Sequence, residues 1–175
     1  MNIDQFDSFV EDLLGEKLER PLIIVGASKI DDLLLSILSK LLFIPKKNDE
    51  DDLLKGDNPL STFSSRIKLV YRLGIIDEGL LKVLEQVRKL RNLCAHSIEF
   101  NINRSPVREH ISELKKLTIN RQSFILTRTR FFQNPFKSNE DLQCIFITIC
   151  VILESIHEAV IKTTGNTKTL KISNK

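Results

Sequence analysis

The sequence predicts an all-α protein, a compact bundle of about five to six helices. Three observations lead there. Apolar residues recur at three- and four-residue spacing along most of the chain. No internal repeat and no strand–helix alternation interrupts that pattern, which argues against a parallel sheet. And 175 residues, 42% hydrophobic and 28% charged, are enough to bury a core without metal or disulfide staples.

Taken in order, residues 4–18 read as an amphipathic helix, with Ile3, Phe6, Phe9, Val10, Leu13 and Leu14 in register and Gly15 weakening its end. Pro21 stands where a helix can begin. From there to about Phe43, Ile23, Ala27, Ile30, Leu34, Ile37, Leu38 and Leu41 form one stripe, widened by Leu33, Leu35 and Leu42. A helix this apolar belongs at the centre of a bundle. Residues 45–52 form a charged connection, and Gly56-Asp57-Asn58-Pro59 a turn. Leu60, Phe63, Ile67, Val70 and Tyr71 mark a short helix that stops at Gly74. Asp77 is placed as the N-cap of a central helix over about 77–97, with Leu80, Val83, Leu84, Val87, Leu90 and Cys94 on one face. A loop over 98–105 leads to a helix opened by Pro106 and running to about Leu117. Residues 118–137 read as irregular and partly extended. Ser138 and Asp141 match a capping box for a last helix that runs to about Thr163. The helical domain thus spans 1–163, and the polar tail 164–175 is expected to fray.

Composition narrows the function classes. A net charge of +3 implies no large cationic field. Cys94, Cys144 and Cys150 are odd in number, lie in apolar helical patterns and form no C-x-x-C pair. They read as buried free thiols of a reducing compartment. Met1-Asn2-Ile3-Asp4 lacks the basic and apolar regions of a signal peptide, and the run Leu33–Leu42, with Lys40 inside it, is far short of a bilayer span. The expectation is a cytoplasmic protein with no membrane partner. No Ser/His/Asp order, phosphate-binding glycine loop, H-E-x-x-H or zinc-ligand spacing occurs, and no helix-turn-helix pair or basic recognition helix is evident. No metal or cofactor is expected. His110 and His157 are lone histidines on amphipathic helices, read as surface or core-edge residues.

One constellation carries chemistry. At ~100° per residue, Arg91 falls with Leu80, Leu84, Val87 and Cys94 on the apolar side of the central helix. An arginine there needs an anionic partner, and Asp31, at the edge of the second helix's stripe, is the expected one. His96 lies about 140° away, on the side of Asn92 and Lys89. The set suits RNA. Histidine can shuttle the proton when a ribose 2′-OH attacks the adjacent phosphate. Arginine offers a fixed charge and a planar fork to phosphate oxygens, and Asn92 orients either group. The alternative reading makes Arg91 a buried salt-bridge residue and His96 a helix cap. Arg66, Lys89, Arg128 and Arg130 are the candidate RNA contacts, the last two in a segment where Phe124, Phe131, Phe132 and Phe136 offer stacking. Those phenylalanines equally suit closing the core, and Ser65 and Arg66 equally suit setting the third helix against the central one.

The run from Leu54 to Ile76 resembles the mannitol operon repressor family. Pro59-Leu60, Phe63-Ser64, Arg66-Ile67, Leu69, Tyr71, Leu73-Gly74 and Ile76 carry the likeness, and Asn58 departs from it where glycine is usual. Arg91-Asn92-Leu93-Cys94-Ala95-His96 is similar to the R-N-x-x-A-H signature of HEPN domains, helical domains to which that family is related. The resemblance covers residues 20–160, most strongly 54–100. It implies a HEPN-like bundle. It also implies either of two functions. One is a metal-independent endoribonuclease of toxin or phage-defence type, in which both copies of a homodimer line one cleft with Arg91, Asn92 and His96. Its substrate is RNA, and a protein antitoxin or regulatory partner restrains it. The other is a non-catalytic transcriptional regulator acting through protein partners or DNA. Some HEPN toxins carry a tyrosine shortly after the histidine; here Ser97-Ile98-Glu99-Phe100 follows instead.

Overall fold

A computed structural model describes residues 3–42, 53–54, 56–132 and 140–160. Among them are seven α-helices and no strand: α1 (Ile3–Gly15), α2 (Glu19–Leu41), α3 (Phe63–Arg72), α4 (Glu78–His96), α5 (Val107–Thr118), α6 (Gln122–Phe131) and α7 (Glu140–Ala159). The all-α class is as the periodicity predicts. The seventh helix is α6, which falls in the stretch expected to be irregular. Residues 45–52, Ser138 of the expected capping box, Phe136, Lys137 and the tail 164–175 lie outside the described residues.

α2 and α7 are the two central staves. α2 buries Leu22, Ile23, Ala27, Ile30, Leu33, Leu34, Ile37 and Leu38. α7 is buried without interruption from Leu142 to Cys150. By length and hydropathy alone α7 is apolar enough to cross a membrane. Its packing against α1, α2, α5 and α6 accounts for that character instead. The two staves meet closely at Gly26, where an added Cβ would stand 2.5 Å from Cδ1 of the fully buried Phe146 ring. Gln143 ties α1 to α7: its Nε2 donates to the carbonyls of Leu13, Leu14 and Glu16 at 2.9–3.1 Å. That supplies donors to acceptors which the end of a helix leaves open.

The other side of α2 receives α3 and α4, and α4 also packs along α5. Local chemistry sets these elements. The Asp77 carboxylate accepts from the Leu80 N–H at 2.6 Å, capping α4 as the sequence predicts. Thr62 caps α3 by accepting from the Ser65 N–H at 3.2 Å. Gly74, at φ 71°, takes the left-handed turn that ends α3. Lys115 of α5 pairs with Asp141 of α7 at 2.9 Å. Cys94, Cys144 and Cys150 are free and buried. Burial raises the thiols of Cys94 to about 11 and Cys144 to about 12, so neither is a thiolate near neutral pH.

Candidate functional site

The carboxylate expected to hold Arg91 holds another arginine. Asp31 Oδ1 accepts from Arg66 Nη1 at 2.7 Å, and Arg66 Nη2 donates to the Leu54 carbonyl at 2.7 Å. Arg66 is 7% exposed, and its Nε is buried without a partner. It therefore joins α3 to α2 and to the preceding turn. This corrects two expectations: Asp31 is the partner of Arg66 rather than Arg91, and Arg66 is too deeply enclosed to meet RNA. The sequence signal was present. By the ~100° rule Arg66 lies on the face of Phe63, Ile67 and Val70, as inward as the wheel made Arg91. Burial pushes the Asp31 carboxyl above its ordinary value, opposed by the Arg66 hydrogen bond and charge. Asp32 adds to the rise, and Arg91 opposes it weakly, so Arg91 is within electrostatic reach of this pair.

Arg91 itself is exposed. The buried face of α4 is Leu80, Val83, Leu84, Val87, Leu90 and Cys94. Arg91 lies at one margin of that face, while Leu90 and Cys94 in the same turns stay fully buried. Its Nη1 donates to Asn92 Oδ1 at 3.5 Å, which draws the guanidinium round the helix toward the side of Asn92 and His96. His96 is exposed in the last turn, and Lys89 is exposed as well. The cap of α4 is Ser97, whose N–H donates to the Leu93 carbonyl. Beyond it opens a hollow of about 660 Å³ lined by Leu18, Arg20, Ile98, Phe100 and Arg104 among others. None of Arg91, Asn92 and His96 lines it.

In the basic segment, Phe124 is buried, and Phe131 and Phe132 are half-buried against the core. Arg128 and Arg130 are exposed on α6. The core-closing role read from the sequence holds for these three phenylalanines.

A second polar group, which sequence reasoning passed over, lies between the staves. His157 Nε2 meets Ser36 Oγ at 2.9 Å. Lys40 Nζ donates to the His157 carbonyl at 2.6 Å and stands 3.5 Å from Nδ1, while Glu154 Oε2 is 3.8 Å from Nδ1. Among the described residues, Glu154, His157 and Glu158 bring donor atoms within 4.8 Å of one another. The Lys40 ammonium beside Nδ1 competes for that space with any cation. Burial first, and then the Lys40 charge, hold the His157 pKa below its ordinary value, with Glu154 opposing. A depressed imidazole stabilises the fold fully above the unfolded value near 6.5, and that contribution is lost as pH falls through the folded value. Thermal stability is therefore expected to fall on acidification below about pH 6.5, and His157→Gln to flatten that part of the profile. An identical decline in the variant would rule out His157 as its source.

No protein-family model matches this sequence, and no curated protein matches it. Solved structures do. A possible transcriptional regulator, YggD from Shigella flexneri 2a str. 2457T, superposes with a TM-score of 0.62 at 16% identity, covering 86% of this chain and 98% of that one. A chain of the MtlR–HPr complex from Escherichia coli superposes at 0.55 and 19% identity, covering 87% of this chain and 96% of that one. The fold is MtlR-like. At these identities the likeness is one of architecture, running through nearly the whole length of both neighbours.

Proposed function

We propose that this chain is a non-catalytic transcriptional regulator that works through contact with a protein partner. The observation that carries the reading is the open setting of the motif: Arg91 and His96 are both exposed in the last turns of α4. Charge stabilisation of a phosphoryl transition state depends on preorganised donors in a water-excluded site. A guanidinium in bulk-like solvent is a weak substitute, because the same charges interact several-fold more weakly there. The MtlR-like fold supports the reading from a second direction, since MtlR forms a complex with the protein HPr.

A second reading keeps one specific observation. The Arg91 guanidinium leans toward Asn92, on the side of His96. If a second copy closed over that side, a HEPN-type homodimeric endoribonuclease would result. One comparison separates the two. A deletion strain is complemented with wild type or His96→Ala, and transcripts are profiled while purified proteins are incubated with total RNA in EDTA. The regulator reading expects altered transcription restored equally by both proteins, with RNA intact. EDTA-resistant cleavage that disappears in His96→Ala would establish the nuclease instead.

A further inference from the structure

We propose that α6 is a docking ridge for an acidic amphipathic helix of a partner protein. The idea deepens the regulatory reading above and rests on it for its purpose, but the surface is argued from α6 itself.

α6 is thinly covered. Only Phe124 and Thr127 are buried, while Ile125 and Leu126 are 51% and 61% exposed. Val25, Leu73 and Ile98 are exposed singly elsewhere, but on α6 two exposed aliphatic side chains are adjacent and flanked by apolar hollows, which makes a patch rather than a scattered residue. A hollow follows each flank. One, of about 580 Å³, lies between α6 and α7 and is floored by Leu126, Phe131, Val151, Ile152 and Ile156, with Arg130 in its lining. The other, of about 400 Å³, is lined by Ile119, Phe124, Ile125 and Phe132, with Arg128. Among the described residues no acidic residue lines either hollow, and the sequence carries no Asp or Glu between Glu113 and Glu140.

These features choose between occupants. Single-stranded RNA is held by aromatic faces on which bases stack. Here Phe124 is buried, Phe131 and Phe132 are half-buried against the core, and the Arg130 guanidinium already lies over the Phe131 ring, so the apolar side chains that stand furthest out are the aliphatic Ile125 and Leu126. A second copy docked through the same ridge in a two-fold interface would set Arg128 and Arg130 against their own copies. An amphipathic helix laid in a groove takes its affinity from apolar anchors at i, i+3, i+4 and i+7, and its specificity from charge at the rim. The hollow between α6 and α7, with an apolar floor and Arg130 at its rim, calls for leucine-like anchors flanked by carboxylates.

The test uses the full chain and two labelled helical peptides, with leucines at i, i+3, i+4 and i+7 and either glutamates or lysines elsewhere. Fluorescence anisotropy should show the glutamate peptide binding and the lysine peptide failing. Leu126→Ser and Arg130→Glu, both at exposed positions, should each weaken the glutamate peptide roughly tenfold. Arg130→Glu should also gain affinity for the lysine peptide, which a misfolded variant would not do. The proposal is overturned if the glutamate peptide does not bind, if both peptides bind alike, or if the variants bind as wild type. A U-rich single-stranded RNA that binds and is lost in Arg130→Glu would reassign the ridge to nucleic acid. Peptide binding that persists while deletion leaves transcription unchanged would sink the regulatory reading and leave the ridge standing.

Discussion

Asp31→Ala is expected to lower the unfolding free energy by about 3 kcal/mol, the lower end of what breaking a buried ion pair costs. The loss comes less from the vanished attraction than from what remains. Arg66 cannot neutralise itself by losing its proton. Without Asp31 its guanidinium keeps one hydrogen bond, to the Leu54 carbonyl, in a site where its Nε already lacks a partner. Removing the other partner is milder. Asp31 keeps 28% side-chain exposure, and burial already eases its protonation. Arg66→Met also retains the packing of the side-chain stem. The order of stability should therefore be wild type, then Arg66→Met, then Asp31→Ala. The double variant Asp31→Ala/Arg66→Met should be more stable than Asp31→Ala alone. Urea titrations of the four proteins measure this directly, and a midpoint for Asp31→Ala above that of Arg66→Met would contradict it. In a chain of this size the loss corresponds to roughly 6–12 °C in Tm.

The second large effect lies where the staves cross. Gly26→Ala would ordinarily gain about 1 kcal/mol of helix propensity. Here the new methyl group meets the base of the Phe146 ring, at 2.5 Å from Cδ1 and 2.8 Å from Cγ. These are not the loose end of a flexible chain, so the ring or the helix must move, and overpacking of this kind costs about 1–3 kcal/mol. A net loss is expected for alanine and a larger one, about 3 kcal/mol, for Gly26→Val, which adds a branched side chain in the same place. Gly26→Ala/Phe146→Leu should recover part of the loss, because residues in contact are coupled. Strict additivity of the two single changes would show that the ring is not the obstacle.

The helices that pack one clean face were legible from the sequence because burial and periodicity coincide in them. The caps at Asp77 and Gly74 were legible because their chemistry is local. α6 was not. Its exposed Ile125 and Leu126 break the helical stripe, and the β-branched Ile125, Thr127 and Thr129 favour extended backbone. Tertiary support on one narrow edge outweighed both. The candidate site failed for a different reason. A helical wheel gives the angle at which Arg91 leaves α4, but not how far round the helix the cover of its neighbours reaches. Arg66 was read both as a cation for RNA and as a residue that sets α3, and its position among Phe63, Ile67 and Val70 pointed to the second. The cluster around His157 pairs residues far apart in the chain, and no spacing rule connects Ser36 or Lys40 with Glu154 and His157.

The pairing of α2 with α7 bears on how the protein is made. α2 is complete at Leu41, yet the helix that covers one side of it begins at Glu140. During translation most of the chain must leave the ribosome while a long oily surface waits for its lid. Loop closure over such a distance slows folding, and uncovered apolar surface invites wrong association in the meantime. Until α7 has been synthesised that side of α2 stays uncovered, and a chain released earlier lacks the helix that completes the core.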